Sequence, residues 1–281
     1  MITVSGSLND SEYGKILLSN VMVTRKKYIF MGRTWRTLDI QTSLGVLVVH
    51  LLALFAPFTF TWGAFWASFA SYVLRGTFGI TLSYHRNLAH HSVKLPKWLE
   101  YTFAYLGVLA FQISPSYVDS EKDPHSPIFG FWFSHMGWLF DSGYILEKYQ
   151  EHKNVDDLKK QPFYRFIKRT YTLHLFVFTA LVYVFGGFTY LVWVVVRICW
   201  NMFQLCVLKR LWVALVSFGE GWHNNHHAFE YSARHGLEWW QIDVGWYTIR
   251  FLEAVGLATN VKLPTEAHKL KKSVASLNKF K

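Results

Sequence analysis

Charged side chains are missing from two long stretches of the chain, and those gaps set its expected architecture. Lys, Arg, Asp and Glu are absent from Ile40 through Leu74. As one helix that stretch would rise about 52 Å, at 1.5 Å per residue, against a bilayer core of about 30 Å. Ala56-Pro57-Phe58 supplies a break, so the pattern predicts a hairpin of two helices, near Ile40–Phe55 and Trp62–Leu82. A second uncharged run extends from Thr170 to Val196, and Gly186-Gly187 divides it into helices near Thr170–Phe185 and Phe188–Leu208. Each falls in the lower or middle part of the range of about 17–25 residues that crosses a bilayer.

Charge placement orients these spans. The hairpin tips, Ala56–Thr61 and Gly186–Gly187, carry no charge. Of the 29 Lys and Arg, only Arg75 and Arg197 fall inside spans, so the rest share one face, cytosolic by the positive-inside rule. Arg75 is expected to snorkel to the nearby end of its span. Arg197 sits mid-span and is expected to face the bundle interior, with a partner. Trp98–Ile113 is also apolar but contains Glu100, and it reads as an interfacial helix. Were it a span, the two histidine clusters described below would lie on opposite sides of the membrane.

The expected fold class is therefore all-α: an integral membrane four-helix bundle of two transmembrane hairpins, with a cytosolic helical cap. Its segments are a cytosolic N-terminal stretch 1–39, hairpin one 40–82, a cytosolic insert 83–169, hairpin two 170–208 and a cytosolic C-terminal region 209–281.

Composition agrees with that division. The chain is 52% hydrophobic and 19% aromatic, with a net charge of +11. No zinc-finger spacing, aromatic RNA-binding pattern or long basic arm accompanies the positive charge, so an anionic membrane surface explains it and nucleic acid does not. Cys199 and Cys206 lie in an apolar stretch without CxxC spacing and form no disulfide framework. Leu17–Val23 is short, polar-interrupted and preceded by Asp10 and Glu12, which is neither a signal peptide nor a convincing plastid transit peptide. Endoplasmic reticulum membrane is the expected location, with the chloroplast envelope as the alternative.

Two histidine clusters carry the chemistry. Gly221-Trp222-His223-Asn224-Asn225-His226-His227 places three imidazoles at i, i+3 and i+4, on one helix face, where they can converge on a metal. Imidazole suits iron, zinc and copper alike. The other cluster is His85-Arg86-Asn87-Leu88-Ala89-His90-His91. His85 and His90 are five apart, about 140° around an ideal α-helix, and would embrace a metal only where the backbone turns. The metal-ligand set is thus His85, His90, His223, His226 and His227. His50 and His174 are expected to be packed and hydrogen-bonded, His125 and His135 structural, and His152, His235 and His268 surface residues.

At these residues the chain resembles the membrane acyl-CoA and acyl-lipid desaturases, especially the plant Δ9-desaturase-like group. The resemblance covers roughly Met31 to Glu266. It rests on Ile80-Thr81-Leu82-Ser83-Tyr84-His85-Arg86-Asn87-Leu88-Ala89-His90, Lys94–Tyr101, Asp123-Pro124-His125-Ser126-Pro127 and Gly130–His135. The runs Gly219–His227 and Gly236–Gln241 continue it. It implies a non-haem di-iron centre held by histidines, O₂ as oxidant and cytochrome b5 or ferredoxin as electron donor. The implied substrate is a fatty acyl-CoA or acyl lipid in membrane lipid, which receives a double bond of Δ9 type.

Two elements of that family pattern are missing. A second box of the form HRYHH would precede the Asp-Pro-His-Ser-Pro motif, but Phe111–Ser120 runs directly into Glu121-Lys122-Asp123-Pro124-His125. A further ligand histidine would follow the last span, yet Trp200–Trp212 contains none. Asp119, Glu121, Asp123 and His125 occupy the region of the lost box and are candidate substitutes. The alternative function is a catalytically impaired relative, acting as a lipid-binding or desaturase-associated partner, or a variant gene product.

Overall fold

A computed structural model describes residues 34–110, 137–143, 156–205 and 217–268. Among these residues the chain is helical, with a single antiparallel bridge between Lys94 and Thr259. The all-α expectation holds. The long helices are α1 (Thr37–Ala53), α2 (Trp62–Leu74), α3 (Lys97–Leu109), α5 (Pro162–Leu205) and α7 (Val244–Ala254). Shorter elements include α4 (Asp156–Lys160) and α6 (His223–Ala228), with 3₁₀ turns at Ala56–Thr59, Gly137–Phe140 and Glu220–Trp222.

Local chemistry fixes the breaks. Asp39 accepts from the Arg36 backbone N–H (3.0 Å) and starts α1. Its other oxygen accepts from the Ser142 N–H (2.7 Å), so the cap also ties α1 to a distant turn. Pro57 lies in the 3₁₀ turn that ends the first hairpin arm, and Thr61 Oγ1 caps α2 by accepting from Ala64 N–H (3.2 Å). Gly187 has φ 69°, ψ −169°, a conformation that side-chain-bearing residues avoid. It kinks α5 between Gly186 and Phe188, where the second hairpin tip is expected.

The second half of α5 packs against α2 and the turn that follows α1. Ser68 Oγ donates to the Trp193 carbonyl (2.8 Å), Trp193 Nε1 donates to the Thr59 carbonyl (3.2 Å), and Phe55 meets Phe188 edge-on at 5.9 Å. Large apolar side chains remain exposed along the arms, including Leu54, Phe58, Phe176, Val184 and Phe185. By length and composition one described helix, Pro162–Cys199, is apolar enough to cross a membrane, and α1 is a shorter apolar helix.

Both arginines point inward. Arg75 is buried, donating from Nη1 to the Leu109 carbonyl (2.9 Å) at the end of α3 and stacking its guanidinium 4.3 Å from the Phe178 ring centre. This corrects the snorkelling expectation, because the α3 carbonyl offers a partner nearer than water. Arg197 faces the interior as expected, but its guanidinium nitrogens have no hydrogen-bond partner among the described residues.

The second arm departs most from expectation. Beyond Leu74 the backbone continues as a 15-residue π-helix, Arg75–Ala89, rather than ending near Leu82. Against it packs α3, closely enough that Gly79 and Gly107 meet backbone to backbone. A core of Leu82, Val93, Leu95, Leu99, Phe103, Ala233, Ile249, Leu252 and Ala258 joins the π-helix to α3 and α7. Glu100, the charge that marked α3 as something other than a span, is buried and accepts from Lys97 Nζ (2.8 Å) and Tyr164 Oη (2.9 Å).

Candidate metal centre

The π-helix explains how His85 and His90 meet. In such a helix each N–H reaches the carbonyl five residues back, so residues five apart lie one turn apart. The His90 N–H donates to the His85 carbonyl at 3.1 Å, and the two ring centres stand 5.0 Å apart. His91, at φ 49°, then reverses the chain, and the Ser92 N–H closes the end on the Arg86 carbonyl (2.7 Å). The 140° separation expected for an α-helix is thus removed by a change of helix type.

His226 arrives from α6, 141 residues away in sequence. Its Nε2 lies 3.1 Å from Nε2 of His85, and its ring centre is 4.5 Å from those of both His85 and His90. The backbone of His223 and His227 belongs to the same short helix, while their side chains lie outside the described residues. Asp119, Glu121, Asp123, His125, His135 and His152 also lie outside them.

A fourth imidazole joins this group from a loop. His235, expected at the surface, is 1% exposed, and its ring centre stands 4.4 Å from that of His226 and 5.1 Å from that of His85. Donor atoms of His85, His226 and His235 all lie within 4.8 Å of one another. Box spacing gave no hint of this residue, since it belongs to neither cluster. What buries it is the fold around Asp243. The remaining histidines behave largely as expected. His174 is hydrogen-bonded to Thr170 and Tyr105, His50 to the Val46 carbonyl although exposed, and His268 sits at the surface on Tyr231.

Two acidic residues hold the cluster. Glu220 sits in the turn after Phe218-Gly219, where Gly219 (φ 105°) has no room for a Cβ against the Asp243 carboxylate. Its carboxylate accepts from Nδ1 of His85, which fixes that tautomer and leaves Nε2 aimed at His226. Burial pushes the Glu220 carboxyl up. The charge and hydrogen bond of His85, with the charges of Arg86 and His226, more than offset this and hold it at about 2.

Asp243 organises the loop. It accepts from Arg86 Nη2 (2.8 Å) and from the backbone N–H groups of His235 (2.8 Å), Gly236 (3.1 Å) and Trp246 (2.9 Å). Arg86 Nη1 reaches the Ala233 carbonyl at 3.0 Å, and Asn225 Nδ2 reaches the His235 carbonyl at 3.0 Å. The residue next to His85 therefore positions the loop that carries His235.

Chemically, buried imidazoles with converging nitrogens and a carboxylate behind one of them could hold a transition metal. They are compatible with the non-haem iron used by the family suggested above. Comparison with known proteins decides the relationship. The chain is 46% identical to palmitoyl-monogalactosyldiacylglycerol delta-7 desaturase, chloroplastic, of Arabidopsis thaliana, over 98% of this chain and 83% of that one. It is 48% identical to an acyl-CoA 5-desaturase of Anemone leveillei, over 91% and 89%. It is also 45% identical to delta-9 acyl-lipid desaturase 1 of Arabidopsis thaliana, over 95% and 98%.

This chain belongs to the plant acyl-lipid and acyl-CoA desaturase family.

It is thus a fatty acyl desaturase, an oxidoreductase by class, and its substrate is a fatty acyl chain. No family model matches the chain. The comparison with the delta-7 enzyme extends over 307 positions, more than the 281 residues present here, so that relative carries residues without a counterpart in this desaturase.

Proposed function

We propose that this desaturase is an O₂-dependent enzyme of Δ9 type that holds iron at His85, His90, His223, His226 and His227. The observation that carries the proposal is the burial of His85 and His226 with Nε2 atoms 3.1 Å apart, brought together from distant boxes. Iron held there would activate O₂, which takes two hydrogens from an unactivated methylene pair while the electron donor supplies the other two electrons needed to reduce it to water. The chain's own residues orient the site: Glu220 fixes the His85 tautomer, and the Arg86–Asp243 pair keeps the cluster in register.

The same reading places α1, α2 and the two arms of α5 across a membrane, with the histidine cap and both termini on the cytosolic side. Exposed apolar side chains along these arms support it. The proposed membrane is the endoplasmic reticulum. The chloroplast envelope is the alternative, and two of the relatives are named as chloroplastic. The basic surface would steer an acidic electron donor, cytochrome b5 or a ferredoxin, and that transfer is expected to weaken as salt is raised.

Expression in a host with a defined acyl profile tests the function. New monounsaturated acyl chains that vanish with His226→Ala support it. An unchanged profile from well-expressed protein counts against it. A second reading, a relative that keeps the fold with impaired catalysis, is favoured by the absence of the HRYHH box. Iron content separates the two: about two per chain supports the enzyme, and one or none supports the impaired relative.

A further inference from the structure

His235 belongs to neither histidine box, yet it is buried against the cluster and held there from three directions. Its N–H is bound by Asp243, its carbonyl by Asn225, and the Ala233 carbonyl two residues earlier by Arg86. Arg86 adjoins His85, and Asn225 adjoins His226. The loop is thus indexed to both ligand-bearing helices by the neighbours of the ligands themselves. A histidine buried only for packing would not need its backbone fixed to the residues beside two other imidazoles.

We propose that His235 is a metal ligand in this chain, sharing one transition-metal ion with His85 and His226. The proposal rests on the metal-site reading above and extends it to a residue outside the boxes. Two nitrogen ligands about 2.1 Å from one ion stand at most about 4.2 Å apart. The donors of His85, His226 and His235 lie within 4.8 Å, with those of His85 and His226 3.1 Å apart. Closing the widest gap by about 0.6 Å reaches the opposed limit, and by about 1.4 Å the spacing of about 3.4 Å in a tetrahedral site. The His90 ring stands beside them, 4.5 Å from that of His226 between ring centres. The donor set is then all imidazole, which suits iron, cobalt or zinc in the divalent state. In a chain without the HRYHH histidines, this loop supplies an imidazole that box spacing does not reveal.

Cobalt(II) is the probe, added to the metal-free full chain in detergent, because its visible spectrum reports ligand type directly. Affinity and spectrum are measured for wild type, His235→Ala, His235→Cys and the surface control His268→Ala. The expected results are a 10-fold or greater loss of cobalt affinity in His235→Ala and no change in His268→Ala. His235→Cys, checked for an unchanged melting profile, is expected to show a new sulfur-to-cobalt charge-transfer band that a packing role would not produce. Wild-type affinity in His235→Ala, or a folded His235→Cys without that band, overturns the proposal. Failure of wild type to bind any metal instead overturns the underlying site reading, and the two failures are thereby separated.

Discussion

Asp243→Asn isolates the interaction that holds the His235 loop in place. The change is nearly isosteric, so it opens no cavity, and what it alters is charge and hydrogen-bond polarity. One carboxylate oxygen accepts from Arg86 Nη2 (2.8 Å) and Trp246 N–H (2.9 Å), and the other from His235 N–H (2.8 Å) and Gly236 N–H (3.1 Å). An amide offers one oxygen and one NH₂. Whichever way it turns, the NH₂ faces two donors, and both of those hydrogen bonds are lost. At about 1.5–3 kcal/mol for each bond to a charged group, the cost is about 3–6 kcal/mol. Removing one partner of a buried ion pair gives about 3–5 kcal/mol by a separate route, and Arg86 is wholly buried. Glu220, with an oxygen 3.6 Å from Arg86 Nη2, retains part of the compensation, so the lower part of that overlap applies, about 3–4 kcal/mol.

The assay is denaturant unfolding of metal-free protein in a fixed detergent, followed by tryptophan fluorescence, for wild type, Asp243→Asn, Arg86→Met and the double variant. The two sites touch, so the effects are expected to be non-additive by at least about 2 kcal/mol, with the double variant more stable than the sum of the single changes predicts. A loss below about 1 kcal/mol in Asp243→Asn, or strict additivity, refutes the argument. Either result would mean that the buried pair does not organise the loop.

Other consequences follow from the same geometry. Glu220→Gln removes the charge behind His85 and is expected to weaken metal binding by about 10–100-fold, read by chelator competition. Gly79→Ala puts a Cβ 2.5 Å from the Gly107 backbone nitrogen and 2.7 Å from the Leu106 carbonyl carbon. Neither backbone atom can swing aside, so a loss of about 1–3 kcal/mol is expected in thermal melting. Arg197→Met replaces a buried guanidinium whose nitrogens lack hydrogen-bond partners among the described residues, and stability is expected to be unchanged or higher by about 1–3 kcal/mol. A destabilisation beyond about 1 kcal/mol would show that Arg197 has an anionic partner.

The helical arms were legible because their boundaries are set by local rules. Pro57 lies in the turn between α1 and α2, and Gly187 at the kink of α5, and each forbids or permits a backbone angle regardless of what surrounds it. Misreadings arose where tertiary contacts decide. Arg75 was expected to reach for the span end because sequence shows its charge and depth, whereas the open carbonyl of Leu109 is contributed by α3. His235 looked like a polar loop residue because nothing nearby in sequence reports that Asp243, Arg86 and Asn225 bury it.

The π-helix shows the same limit in sharper form, and it bears on the chemistry. Projected at about 100° per residue, His85 and His90 diverge, and HxxxxH reads as a weak pattern. The i→i+5 ladder brings the same two residues to successive turns, with their rings 5.0 Å apart. Gly79 against Gly107 and the Tyr84 ring over Gly107 hold the segment tightly on α3. The spacing of the first box is therefore matched to a backbone that only the folded protein supplies. Gly79→Ala, which pushes the π-helix off the α3 backbone while leaving every histidine in place, is expected to lose metal affinity along with stability. Metal binding that survives that change undiminished would show that the histidines converge without the tight seating of the π-helix on α3.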